Sequence, residues 1–193
     1  MRGFSHVDTW VFDLDNTLYP ASCRLFDQID VKMGEFVSRL LNVDHAEAKR
    51  RQKEMFYKYG TTLRGLMTEH GITPDDFLDY VHDIDHSPIP LNTLLDEALH
   101  ALPGRKLIFT NGTVAHAEKV LNRIGITHHF GDIFDIVHSD FIPKPEMEPY
   151  AKFIRQTGIT PETSAMFEDI ARNLEAPHAL GMTTVLVVSP ENR

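Results

Sequence analysis

Four short polar clusters follow apolar runs. Asp13 and Asp15 lie two residues apart, so in an extended chain both carboxylates point to one side. Two carboxylates at the end of a buried strand cost free energy unless a cation compensates them. Thr110 and Asn111 precede Gly112 and a helical pattern, and a hydroxyl with the open N–H groups of a helix start suits phosphate oxygens. Lys144 stands between Pro143 and Pro145, which restrict its backbone on both sides. Glu168 and Asp169 form a second acidic pair, with Asn173 four residues after it. Taken singly, each cluster also suits an ordinary cap, turn or solvated loop. Together they read differently. The carboxylates suit Mg²⁺, a hard cation that prefers oxygen, and the lysine, hydroxyl and amides suit a phosphate.

The elements that must position these groups are five apolar runs, at 9–12, 106–109, 133–137, 164–167 and 184–188. Most are apolar throughout, which is the mark of a parallel sheet covered on both faces. Helical patterns lie between the last four. Val114, Ala117, Leu121 and Ile124 share one face, with Gly125 as the expected C-cap. Positions 149–156 suit a helix with Pro149 in its first turn, and 173–180 another that Pro177 disturbs and Gly181 ends. This alternation predicts an α/β doubly wound parallel sheet, and all four polar clusters fall at the carboxyl ends of its strands, the edge where ligands bind.

The stretch 19–103 contains no convincing strand. Phe26, Ile29, Met33, Phe36 and Leu40 form a helical stripe, and 44–57 is charged and helix-favouring. Thr73, Pro74, Asp75 and Asp76 give a helix start with a capping threonine, and 91–102 reads as one more helix. The expected organisation is a catalytic core of 1–18 and 104–193 interrupted by a helical cap at 19–103. The Met and aromatic side chains of that cap read mainly as its packing.

Composition sets the outer bounds. The 193 residues carry 28 acidic and 19 Lys and Arg side chains, for a net charge of −9. That balance argues against general nucleic-acid binding, which needs cations to neutralise phosphates. It permits an anionic small substrate where local cations reverse the potential. Cys23 is the single cysteine, so no intrachain disulfide forms, which fits a reducing compartment. No apolar run approaches the roughly 20 residues of a membrane span, and the stretch from Met1 to Trp10 lacks a signal peptide's apolar centre. A cytoplasmic protein without membrane partners is expected.

The four motifs, Asp13-Leu14-Asp15-Asn16-Thr17, Thr110-Asn111, Lys144 and Glu168-Asp169, occur in the order in which the haloacid dehalogenase-like hydrolase superfamily carries them, and the chain resembles that superfamily along nearly its whole length. The stretches Phe12 through Pro20, Tyr57 through Leu66 and Val81-His82-Asp83-Ile84-Asp85 resemble its pyrimidine 5′-nucleotidase branch. The resemblance implies a Rossmann-like core and a Mg²⁺-dependent phosphomonoesterase acting on a nucleoside monophosphate. It implies Asp13 as nucleophile, Asp15 as general acid and base, and Lys144 as the cation beside the phosphoryl group. It implies a metal held by Asp13, the backbone carbonyl of Asp15 and Asp169, with Glu168 acting through water and Asn173 orienting its neighbours. Thr110 and Asn111 would hold phosphate oxygens. Asp15 also separates chemistries: the superfamily's dehalogenases lack this second acid, because halide leaves without a proton.

Two other readings compete. One keeps the chemistry and changes the substrate to a sugar phosphate or phosphoglycolate; the other is a non-catalytic phosphate-binding regulatory protein. Weaker candidates are a metal cluster of His82, Asp83, Asp85 and His86, a polar turn at His128 and His129, His116 at the start of a helix near the site, and a thiol at Cys23 with no base motif beside it.

Overall fold

Thr-Trp-Val-Phe forms β1 (Thr9–Phe12), buried at every residue as a strand covered on both faces must be. Four helices follow in the computed structural model, which describes residues 3–188: α1 (Leu25–Leu41), α2 (His45–Tyr59), α3 (Thr62–His70) and α4 (Pro74–Val81). After them come α5 (Thr93–Ala101), β2 (Arg105–Phe109), α6 (Val114–Ile124), β3 (Asp132–Phe134), α7 (Met147–Thr157), β4 (Ser164–Glu168), α8 (Glu175–Ala179) and β5 (Thr183–Leu186). The five strands form one parallel sheet in the order β3-β2-β1-β4-β5, an α/β Rossmann-like arrangement. The connections run outward from β1 to both sides, so the carboxyl ends of β1, β2 and β4 meet where such folds bind ligands.

On one face of the sheet, Val11, Leu107, Phe109 and Met166 pack with Tyr150 and Phe153 of α7 and Ala176 of α8. Phe109 stacks on Phe153 with ring centroids 5.0 Å apart. Strand alternation sends Phe12 and Phe167 to the other face, where their rings stack at 4.8 Å. Gly125 closes α6 as expected, at φ 88° with its N–H on the Leu121 carbonyl.

Several boundaries differ from expectation. The run 133–137 yields only Asp132–Phe134, because the Asp135 carboxylate turns to accept from the N–H groups of Val114 and His138. The helix expected at 173–180 is a 3-10 turn, Ala171–Leu174, followed by α8. Pro177 lies in the first turn of α8, where its missing N–H costs no helical bond. Thr73 precedes α4, but its hydroxyl donates to the Asp76 carboxylate instead of capping a backbone N–H.

The chain divides into two compact units: one holds the chain up to Cys23 and from Ile89 onward, the other is Arg24–Pro88. The insertion is therefore shorter than 19–103. Helix α5 belongs to the sheet unit because the Asn92 N–H donates to the Ile124 carbonyl, Arg123 donates to the Ile89 carbonyl, and Leu99 is buried. In the inserted unit, α1 buries Leu25, Ile29, Gly34 and Val37, while Phe26 and Leu40 are exposed. Its buried face is thus rotated from the expected stripe, since the sequence of α1 offers two overlapping apolar faces and periodicity alone does not choose between them.

Candidate active site

Phe12 sits in register with Ile108 on one side and Phe167 on the other. The next residue, Asp13, therefore emerges between the ends of β2 and β4, its N–H on the Phe167 carbonyl at 2.9 Å. Lys144 reaches this point from the loop between β3 and α7. Its ammonium donates to Asp13 Oδ1 at 2.7 Å, Glu168 Oε2 at 2.7 Å and the Phe109 carbonyl at 2.9 Å. The side chains of Lys144 and Glu168 are almost wholly buried, and Asp13 is nearly so. All three ammonium hydrogens are thereby used, which is how a buried lysine stays charged.

Asp13, Glu168 and Asp169 bring one carboxylate oxygen each within 4.8 Å of one another. Two of these three carboxylates, Asp13 and Glu168, share the Lys144 ammonium. Burial pushes the Asp13 carboxyl up to about 7, against the pull of Lys144 and with the help of Glu168 and Asp15. Burial likewise pushes Asp169 up to about 7, reinforced by Asp13 and Glu168. Burial opposes the charge on Lys144, yet Asp13 and Glu168 beside it raise its pKa. The cluster carries more negative charge than its one lysine offsets, and its donors are all oxygen. That set fits a hard divalent cation.

Asp15 lies beside this cluster, with its carboxylate turned to other partners. Tyr19 donates to Asp15 Oδ1 at 2.6 Å, and His116 Nε2 lies 2.9 Å from the same oxygen. Burial and the neighbouring Asp15 raise the Tyr19 hydroxyl well above its usual range, so it stays a donor. Thr110 is buried and its Oγ1 accepts from the Gly112 N–H at 2.9 Å, which leaves the hydroxyl hydrogen to donate. Asn111, expected on a phosphate oxygen, clamps the lysine loop: Oδ1 accepts from the Lys144 N–H at 2.9 Å and Nδ2 donates to the Lys144 carbonyl at 3.4 Å. Asn173 is buried, and its Oδ1 has no hydrogen-bond partner among the described residues.

The model of the haloacid dehalogenase-like hydrolase family matches the chain over residues 7–181. The chain belongs to this family. The hydrolase is 29% identical to phosphate metabolism protein 8 of Saccharomyces cerevisiae, a match that covers 91% of the chain and 60% of that protein. It thus spans less than two thirds of this curated relative. Among solved structures, the UTR4 protein of Saccharomyces cerevisiae superposes with a TM-score of 0.61 at 17% identity, covering 97% of this chain and 93% of that one. The L-2-haloacid dehalogenase of Xanthobacter autotrophicus gives 0.60 at 14% identity, covering 96% and 80%. The YfnB protein of Bacillus subtilis gives 0.59 at 17%, covering 96% and 91%. At these identities the structural likeness shows the fold.

Sequence reasoning gave no role to Thr17 or Tyr19 in the hydrolase. Thr17 donates to Asp13 Oδ2 at 2.9 Å, as Tyr19 does to Asp15. Both hydroxyls lie four residues after their aspartate. The Leu18 N–H reaching the Leu14 carbonyl shows the helical turn that brings such pairs together, so the spacing was available as a signal. His116, a weak candidate in sequence, is fully buried against Asp15.

The other weak candidates lie elsewhere. His128 and His129 both reach Asp96 Oδ1, at 3.1 and 2.7 Å. His82 ends α4, and among the described residues it joins no cluster of three metal-capable side chains. Burial raises the Cys23 thiol, which makes it a poorer thiolate. In the inserted unit, Thr61 caps α3 through the Arg64 N–H, and the Tyr59 hydroxyl is held by Glu69. Tyr57 is 79% exposed. No helix among the described residues is long and apolar enough to cross a membrane.

Proposed function

We propose that this hydrolase is a Mg²⁺-dependent phosphomonoesterase that works through an aspartyl-phosphate on Asp13 and acts on pyrimidine nucleoside monophosphates in the cytoplasm. The observation that carries the phosphatase reading is Asp15. An alkoxide leaving group needs a proton and a halide does not. Here a second carboxyl, two residues after Asp13, is anchored by Tyr19 and His116 beside the Lys144–Asp13 pair.

A phosphate monoester is a dianion and repels the carboxylate that must attack it, by roughly 4 kcal/mol per charge pair at ~4 Å and an effective dielectric near ~20. Lys144, tied to Asp13 by a 2.7 Å bond, offsets part of that repulsion. Asp13, the backbone carbonyl of Asp15 and Asp169, with Glu168 beside them, would hold Mg²⁺, which would supply the remaining positive charge. Asp13 attacks phosphorus, and Asp15 gives its proton to the departing oxygen. Asp15 then takes a proton from the water that releases phosphate. The Thr110 hydroxyl donates to a phosphate oxygen. Asn111 acts one step back, by fixing Lys144.

The name of the yeast relative, phosphate metabolism protein 8, points towards phosphate chemistry, and the structure of the Bacillus subtilis YfnB protein is bound to magnesium. The substrate reading rests on the resemblance at 57–66. A pocket that excludes a purine's second ring discriminates by about 10- to 200-fold.

The deciding experiment measures phosphate release with Mg²⁺ from UMP, CMP, AMP, GMP, a hexose phosphate and phosphoglycolate, and halide release from 2-chloropropionate. UMP and CMP should lead in kcat/KM. A lead for the hexose phosphate or phosphoglycolate overturns the substrate and keeps the mechanism. Halide release without phosphate release overturns both.

A further inference from the structure

Two side chains meet one oxygen of Asp15. Oδ1 lies 2.6 Å from the donating Tyr19 hydroxyl and 2.9 Å from His116 Nε2. The His116 side chain is 0% exposed and that of Asp15 17%. The ring is fixed by its helix: Thr113 caps α6 by accepting the His116 N–H at 3.2 Å, so the histidine follows the Thr110-Asn111 turn in one defined place. Oδ2 faces Gly112. A Cβ placed on Gly112 would lie 3.8 Å from Asp15 Oδ2, 3.4 Å from Thr110 Oγ1 and 3.3 Å from His116 Cδ2. Asp15, Thr110 and His116 thus border the same glycine.

We propose that His116 and Tyr19 are positioning residues that hold the Asp15 carboxyl through Oδ1 in the orientation from which it delivers the proton to the leaving group. This rests on the phosphomonoesterase reading. The two bonds to Oδ1 stop the carboxyl from rotating, which would otherwise present either oxygen to the substrate. In the first step, the bond from Asp13 to phosphorus forms and the phosphorus–oxygen bond to the leaving group breaks. The Asp15 proton passes to that oxygen and leaves Asp15 as a carboxylate. In the second step, water oxygen attacks phosphorus, the Asp15 carboxylate takes the water's proton, and the bond from Asp13 breaks.

Leaving-group dependence tests this. Glycerol 2-phosphate releases an alkoxide that needs the proton, whereas p-nitrophenyl phosphate releases a phenolate that leaves largely without it. The ratio of kcat/KM for the two esters, measured with Mg²⁺, reports proton delivery in the first step and cancels general damage. In Tyr19→Phe, which keeps the ring and removes only the hydroxyl, the ratio should fall by about tenfold against glycerol 2-phosphate. His116→Ala should lower it by at least as much. His116→Gln, whose amide N–H takes the place of Nε2–H, should recover most of the loss. Because His116 is buried, Tyr19→Phe decides the matter if His116→Ala fails to fold. Equal losses on both esters, or no loss on either, would overturn the positioning role. A wild-type protein that hydrolyses neither ester overturns the phosphomonoesterase reading, and this proposal with it.

Discussion

Lys144 Nζ lies 2.7 Å from Asp13 Oδ1, although 131 residues separate the two in sequence. The pair is buried, and Glu168 draws on the same ammonium from the other side. A cation shared by two shielded carboxylates does two things. It fixes the Asp13 side chain in one place, and it lets acidic groups gather where a phosphate dianion must approach.

Lys144→Met keeps the volume and removes the charge. Asp13 and Glu168 are then left buried without their ammonium, at a cost of about 3–5 kcal/mol at pH 8. The loss should shrink at pH 5, where the carboxyls can take up protons. Denaturant unfolding at the two pH values checks this, and a variant as stable as wild type at pH 8 would contradict it. Turnover should fall by about 1,000-fold.

Asp13→Asn should release no phosphate from any ester, because an amide is a poor nucleophile. The same change removes one of three crowded carboxylates. The variant without metal should therefore melt no lower than the wild type under the same conditions. Measurable Mg²⁺-dependent turnover would remove Asp13 from the mechanism.

Asn111→Ala separates a clamp from a substrate contact. Its amide bridges the N–H and carbonyl of Lys144, so the change should cost about 1–2 kcal/mol of stability with no phosphate present. A side chain that only met the substrate would leave the thermal melt unmoved. The catalytic loss should appear mainly in kcat, since what loosens is the lysine beside Asp13.

Metal binding should depend on pH. Without a cation, Asp13 and Asp169 stand at about 7 in the folded chain, against an ordinary value of 3.8. Between about pH 4 and 7 the folded state therefore binds more protons than the unfolded one, and the stability of the metal-free protein should fall as pH rises through that window. A divalent cation needs ionised carboxylates, so its binding displaces these protons. Mg²⁺ affinity should rise up to about tenfold per pH unit for each proton released, and level off above about pH 7. Calorimetric titration with Mg²⁺ at pH 6 and 8, in two buffers of different ionisation heat, reads both quantities. Equal affinity and no proton release would show that neither carboxyl is held protonated.

The core of the site was legible because of where its residues lie in sequence. Asp13, Thr110 and Glu168 each come at or directly after the end of a run buried in the sheet, so locating the strands located them. Lys144 was legible as a type, one lysine between two prolines, but not in its three acceptors. Relations across long loops left no local pattern. The contact of His116 with Asp15 spans 101 residues, and the Asn111 clamp on Lys144 spans 33. The allotment of α5 to the sheet unit depends on bonds from Asn92 and Arg123 that composition does not foretell. The buried face of α1 was misjudged for a different reason, two apolar stripes competing on one helix.

The sheet's connectivity sets a schedule for the growing chain. β1 is synthesised before the four strands it shares the sheet with and lies in the middle of them, and its partners come late: Thr9 pairs with Arg105 on one side and with Ser164 on the other. At a translation rate of ~5–20 residues per second, its apolar Trp10 and Phe12 wait roughly 5–20 seconds for the first partner and longer for the second. A ribosome-bound chain in that interval presents an unpaired apolar strand, the kind of segment that chaperones shield. No chain that ends short of Glu168 contains both carboxylates that share Lys144, so an incomplete product carries no half-working centre.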